Sequence, residues 1–210
     1  MVVLVSGRGS NLQALMDATQ RGAIHGRIAA VIGNRPGAYA LERARRAGIP
    51  GRLLDHRVFA SREDFDRALA TLIDEYTPHL VVMAGFMRIL TPAFIARFRG
   101  RMLNIHPSLL PAFPGLRTHE QALTARVAEH GATVHFVTEE VDGGPPVIQA
   151  RVAVRADDSP ETLAARVLEQ EHRIFPEAVA WFCSGRLHLV DGLPRLDGRT
   201  LEQPLQRTVD

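Results

Sequence analysis

Short β-branched runs alternate with stretches of helical periodicity along the first half of the chain, the pattern of a parallel sheet covered on both faces. Val2–Val5 has no polar face, as a fully buried strand requires. Asn11–Thr19 follows with Leu12, Leu15, Met16 and Thr19 on one helical stripe. Arg27–Ile32 is the second strand, and Tyr39–Ala47 a helix closed by Gly48 just past its C-terminus. Ser61-Arg62-Glu63-Asp64 is a capping box that opens a helix to about Tyr76, with Phe65, Leu69, Leu72 and Ile73 inward. Leu80–Ala84 is another fully buried strand. Thr91-Pro92 starts a short helix with proline at its first position. Met102–Ile105 is a strand that delivers His106 at its C-terminal end.

After Pro111 and Pro114 the order changes. A helix over Thr118–Glu129 precedes an alternating strand, Thr133–Val137, a Gly-Gly-Pro-Pro loop and the strand Val147–Val154. Ser159-Pro160 begins a long helix to about Cys183, and Arg186–Val190 with Leu193–Leu196 forms a hairpin about Asp191-Gly192. The predicted class is α/β: an open, mostly parallel sheet with helices on both faces and an antiparallel strand in the C-terminal half. No repeat or flexible linker divides the chain, so residues 1–201 are expected to form a single domain and residues 202–210 a loose tail.

Composition narrows the chemistry. The chain has 210 residues, one cysteine and no lysine, so all 25 basic residues are arginines. The missing lysine excludes a lysine Schiff base and the P-loop lysine. Cys183, beside Trp181 and Phe182, is expected to be a buried, inert thiol. A net charge of +2 without a basic run predicts neither a nucleic-acid partner nor a membrane partner. With no signal-peptide pattern and no apolar stretch near the ~20 residues of a membrane span, the expected compartment is cytoplasmic.

Three motifs carry candidate chemistry. Ser6-Gly7-Arg8-Gly9-Ser10-Asn11-Leu12 lies between a buried strand and a helix, where backbone N–H groups and the helix dipole favour an anion. A dinucleotide fingerprint needs glycine where Leu12 stands and an acid where Asn34-Arg35 stands. Arg35 suits a 2′-phosphate, so an NADP site is weakened but stays open beside a plain turn, and a single phosphate is preferred. Asn104-Ile105-His106-Pro107 places an amide and an imidazole two residues apart, on one side of a strand. Such a pair supplies an oxyanion donor and a titratable group, although spacing alone equally fits a structural histidine. Three acids on Glu139-Glu140-Val141-Asp142-Gly143-Gly144-Pro145-Pro146 usually mean only a solvated turn; if one of them orients an imidazole, Asp142 is best placed, because the glycines after it permit close backbone contact. Gly85-Phe86-Met87-Arg88-Ile89-Leu90 follows a buried strand and could wall an apolar ligand or simply pack as a loop. Glu169, Glu171 and His172 are expected on a helix surface. His119, His130 and His135 show no metal-ligand spacing, and no metal site is predicted.

Together, Ser6–Leu12, Gly85–Leu90, Asn104–Pro111 and Val141–Gly144 resemble the folate-dependent phosphoribosylglycinamide formyltransferases of purine synthesis. The resemblance runs from Val2 to about Leu196. Asn-x-His-Pro-Ser-Leu-Leu-Pro is shared with other formyltetrahydrofolate enzymes, while Ser-Gly-x-Gly-Ser-Asn and Gln170-Glu171-His172 narrow the likeness. It implies a Rossmann-like formyltransferase fold and transfer of formyl from 10-formyltetrahydrofolate, the co-substrate, to the amine of glycinamide ribonucleotide. Residues 1–100 would then form the substrate-phosphate side, and 101–201 the folate and catalytic side.

By the same resemblance, Asn104, His106 and Asp142 match the catalytic trio. Gly9, Ser10 and Asn11 match the phosphate loop, with Arg62 as a second phosphate contact and Gly85 and Glu171 on the substrate side. Met87, Arg88, Ile89 and Leu90, with Glu139, Glu140 and Val141, match the folate pocket. The implied partners are small molecules, with a homodimer possible. Arg8 departs from the smaller polar residue expected there, Ala112 and Arg117 fall at variable positions, and Pro145-Pro146 has one proline more than expected. The nearest rival, 10-formyltetrahydrofolate hydrolase, resembles this chain behind an added N-terminal domain, whereas here Val2 opens the first strand. Methionyl-tRNA formyltransferase carries a C-terminal nucleic-acid-binding domain and lacks the phosphate loop. An NADP-binding oxidoreductase or a nucleotide-binding module are the readings outside this chemistry.

Overall fold

The computed structural model describes residues 1–208. Strand β1 (Val2–Val5) turns into helix α1 (Ser10–Gln20), and β2 (Ala30–Gly33) into α2 (Tyr39–Arg46). Strand β3 (Gly51–Leu53), α3 (Arg62–Asp74), β4 (Val81–Met83), α4 (Pro92–Arg97) and β5 (Met102–His106) complete the first half. Helix α5 (Thr118–Thr124), β6 (Glu129–Phe136), β7 (Pro146–Ala153) and the long α6 (Pro160–Cys183) follow. The described chain ends with β8 (Leu187–Val190), β9 (Leu193–Leu196), β10 (Arg199–Thr200) and β11 (Leu205–Thr208).

Eight strands form one sheet in the order β11-β7-β6-β5-β4-β1-β2-β3, and β8, β9 and β10 form a small second sheet. Within the large sheet only β6 runs against its neighbours, so the predicted α/β class holds, antiparallel strand included. Val3 and Val5 pack in the core shared with α1, α2 and α6, and Val2 and Leu4 in the core shared with α3 and α4. Burial on both faces explains why β1 reads as an unbroken apolar run. The strand order reverses at β1: the chain moves out to β2 and β3, then returns to β4 on the other side. Ligands of open α/β sheets lie beyond the carboxyl ends of the strands at such a switch.

The helix starts follow their caps. Ser61 Oγ accepts from Asp64 N at 3.0 Å, Thr91 Oγ1 from Phe94 N at 3.4 Å, and Ser159 closes a capping box with Thr162. Four expectations need correction. The second strand begins at Ala30, three residues later than predicted. Strand β3 was not predicted, because its three residues are exposed and leave no apolar alternation. Helix α5 stops at Thr124, since Arg126 turns left-handed (φ 51°) and Val127 N bonds back to Ala122 O; Glu129 then opens β6. The segment predicted to be a loose tail contains β11, which pairs in parallel with β7 from Leu205 opposite Ile148 to Thr208 opposite Arg151. Its Leu-Gln-Arg-Thr sequence shows no stripe, but it supplies partners for the edge N–H and C=O groups of β7. The last two residues of that tail lie outside the described residues. Among the described residues, no helix is long and apolar enough to cross a membrane.

Candidate active site

Alternation along β5 sends Leu103 and Ile105 into the α1/α6 core and turns Asn104 and His106 the other way. Across the antiparallel β5–β6 pair, Asn104 faces His135 and His106 faces Thr133. Asn104 Nδ2 lies 3.0 Å from His135 Nε2. His106 is buried, and its Nε2–H donates to the Phe113 carbonyl at 2.9 Å, leaving Nδ1 turned toward Asp142, 3.4 Å from Oδ2. Asp142 Oδ2 also accepts from Gly115 N at 2.9 Å. The structure therefore brings Asp142, distant in the sequence, to the strand end that carries Asn104 and His106.

The backbone makes that approach possible. Asp142 holds a left-handed φ of 54°, a conformation that Asp and Asn adopt more readily than other side-chain-bearing residues. Gly144 passes so close to β6 that a Cβ there would stand 1.8 Å from Phe136 O and 3.3 Å from His135 Nδ1. Only glycine permits this contact.

A cleft of about 670 Å³ opens beyond the ends of β4 and β5, within the range of small-molecule sites. Gly85 and the predicted walls, Met87–Leu90 and Glu139–Val141, all line it, together with Asn104, His106 and Asp142. Met87, Ile89, Leu116 and Val141 are exposed apolar side chains around it, a concentration that marks a binding surface. The Arg88 guanidinium stacks 4.6 Å over Phe65 of α3, and its Nε is buried without a partner.

The Ser6–Asn11 turn is built separately. Ser6 Oγ donates to Asn34 Oδ1 at 2.7 Å and accepts from Met87 N at 2.8 Å, tying together the loops after β1, β2 and β4. Gly9 has φ 73°, and a Cβ there would meet the Cβ of Ala40 at 2.6 Å. Ser10 starts α1 and faces solvent in part, whereas Asn11 is buried and its Nδ2 donates to Glu171 Oε2 at 2.6 Å. Glu171 is thus not the surface residue that helix periodicity predicts. Burial raises its pKa, and the Asn11 bond partly opposes that rise. Arg62 stands exposed at the start of α3, which packs on the other face of the sheet from α1, and its side chain makes no hydrogen bond or ion pair among the described residues.

Several cleft residues escaped sequence reasoning. His135 is the most central, touching Asn104 and lying 3.8 Å from Asp142 Oδ1. Its alternation within β6 was visible, but its partner required the β5–β6 register. Burial pushes its pKa down to about 4, so the ring is neutral near pH 7. His119 also lines the cleft, with Nδ1 3.2 Å from His130 Nε2; burial lowers both histidines, His130 to about 4. Arg35 and Arg117 line it too, neither in an ion pair among the described residues.

An apolar cleft at a topological switch, with an amide, an imidazole and a carboxylate converging on its floor, suits transfer of a polar one-carbon group without a covalent enzyme intermediate. Residues 1–179 match the family model described as formyl transferase. The chain belongs to that family and is a formyl-transferring enzyme. Phosphoribosylglycinamide formyltransferase of Escherichia coli is 53% identical over 96% of this chain and 95% of its own length. The solved phosphoribosylglycinamide formyltransferase of Coxiella burnetii superposes with a TM-score of 0.93 at 49% identity, over 97% of each chain. A formyltetrahydrofolate deformylase from Pseudomonas syringae superposes at 0.85, but at 26% identity and over 64% of that protein. Within the formyl transferases, this chain groups with the phosphoribosylglycinamide formyltransferases of purine biosynthesis.

Proposed function

We propose that the protein transfers the formyl group of 10-formyltetrahydrofolate to the amine of glycinamide ribonucleotide, with Asn104, His106 and Asp142 acting at the reacting carbon. The observation that carries this reading is the 3.4 Å approach of Asp142 to His106 on the floor of the cleft. The exposed apolar side chains of Met87, Ile89 and Val141 suit a flat reduced-folate ring. The N–H groups at the start of α1 suit the phosphate of the acceptor, leaving its amine to reach toward Asn104.

Amine attack forms a new C–N bond and pushes the carbonyl electrons onto oxygen. The Asn104 amide donates to that oxyanion and a cationic His106 stabilises it, while Asp142 balances the imidazolium charge. Asp142, directly or through water, takes the proton that the attacking amine loses. Collapse breaks the bond to the folate N10, which receives that proton back from Asp142, directly or through water, and leaves as tetrahydrofolate. Substrates and residues alone balance the step, with neither a thiol nor an amine nucleophile from the protein.

Consumption of 10-formyltetrahydrofolate, measured with and without glycinamide ribonucleotide, tests the proposal. Turnover that requires the nucleotide and yields its formylated product is expected. Equal consumption in its absence would make the protein a hydrolase, and no consumption in either case would refute both readings.

A further inference from the structure

We propose that His135 is a positioning residue: it fixes the flip state of the Asn104 side chain, so that the amide presents N–H rather than carbonyl oxygen to the developing oxyanion. The inference rests on the role given to Asn104 above and adds the group that enforces it.

His135 Nδ1 lies 2.9 Å from the Phe136 carbonyl oxygen, which can only accept, so Nδ1 carries a proton. The ring is buried, and burial keeps it neutral above about pH 4, so Nε2 has a lone pair and no hydrogen. The atom 3.0 Å from that lone pair must be a donor, which makes it the Asn104 nitrogen and not its oxygen. One N–H of the amide is spent on His135, leaving the second to point toward the cleft. Asp142 Oδ1, at 3.8 Å from Nε2, is beyond hydrogen-bond reach and does not compete for this bond.

Local structure holds His135 in this state. The β6–β7 register slips between Val134 and His135, an irregularity that re-aims a side chain next to a site. Gly144 closes over the same spot, within Cβ contact of Phe136 O and His135 Nδ1, so the segment that carries Asp142 also clamps the ring. Without an acceptor at Nε2, the amide could rotate by 180° and aim its oxygen at the oxyanion, turning a stabilising group into a repulsive one.

The tests separate this from a packing role. Gln at position 135 can place Oε1 near Nε2, whereas Asn reaches only the Nδ1 position. His135→Gln should therefore keep kcat within about threefold, while His135→Asn and His135→Leu lose roughly tenfold to a hundredfold, less than removal of an entire oxyanion donor. KM for both substrates should stay within about threefold. Adding His135→Leu to Asn104→Ala should slow the enzyme no further than Asn104→Ala alone. Nitrogen-15 NMR of the histidine rings should show position 135 as the neutral Nδ1–H form across pH 6–8.

Parental kcat in His135→Asn, equal losses in the Gln and Asn variants, multiplicative effects in the double variant, or a proton on Nε2 would each overturn the proposal. If His135→Leu does not fold, the Gln and Asn pair with the NMR measurement still decides. Asn104→Ala separates the two levels of the argument. Near-parental kcat there would remove the oxyanion role itself, whereas a large loss with an indifferent His135 would remove only the positioning role.

Discussion

Replacing Asp142 by Asn removes a charge while changing little else. Asn tolerates the left-handed φ of 54° nearly as well as Asp, and its side-chain oxygen can keep the bond from Gly115 N. What disappears is the carboxylate 3.4 Å from His106 Nδ1. At that separation, and with an effective dielectric near 20, the attraction to an imidazolium is about 5 kcal/mol before desolvation is set against it, an upper bound on the electrostatic loss. Loss of an acid–base group by itself typically costs about 10²–10⁴ in rate, or about 3–5 kcal/mol. Both figures place Asp142→Asn near a thousandfold loss of kcat. KM should change by less than a few-fold, because the carboxylate sits on the cleft floor and not on its apolar walls. Steady-state formyl transfer, followed by tetrahydrofolate release, gives both parameters, and a thermal melt within a few degrees of the parent shows that the fold is kept. A purified, folded Asp142→Asn protein with kcat within about threefold of the parent would refute the role given to this carboxylate.

The other predictions concern the frame around it. Gly144→Ala puts a Cβ 1.8 Å from Phe136 O, so the Asp142 segment must move; activity should collapse and stability fall by about 1–3 kcal/mol or more, and a parental melt and rate would show that the close approach is dispensable. His130 and His135 are held neutral down to about pH 4, whereas the unfolded chain binds those protons near 6.5. Their contribution is therefore complete above pH 6.5 and lost as pH falls toward 4; urea midpoints that stay flat or rise from pH 7 to pH 5 would contradict this. Glu171 has the opposite sign. Its raised pKa means that stability is highest below the ordinary value of 4.5 and declines as pH rises through the folded value. Glu171→Gln keeps an acceptor for Asn11 Nδ2 and should melt higher than the parent at pH 7; a lower melt would show that the ionised form is favoured.

Legibility in the sequence followed the range of the interaction. Val2–Val5 and Pro160–Cys183 were found with correct bounds because an unbroken apolar run and a proline-led capping box are local signals. Strand β11 was missed because Leu205–Thr208 has its reason in the edge of β7, more than fifty residues away. The same division runs through the site. Asn104 and His106 were visible as neighbours on one strand face, and the cleft walls as loops following strands. His135 has no legible role in the sequence, since its partner comes from cross-strand register and not from sequence neighbours. The crowded helix position of Glu171 predicts a surface residue, and only the packing of α6 beside Asn11 reveals it as a buried partner of the turn.

The most direct test of the account is a crystal structure with glycinamide ribonucleotide and a non-transferring 10-formyl folate analogue bound together. It predicts the phosphate on the N–H groups at Gly9–Asn11 and the folate ring between Met87–Leu90 and Glu139–Val141. It also predicts the formyl oxygen within hydrogen-bond distance of Asn104 Nδ2, with His106 and Asp142 beside the reacting carbon. A formyl carbon bound away from those three side chains, with both substrates seated and the amine in reach of it, would contradict the account.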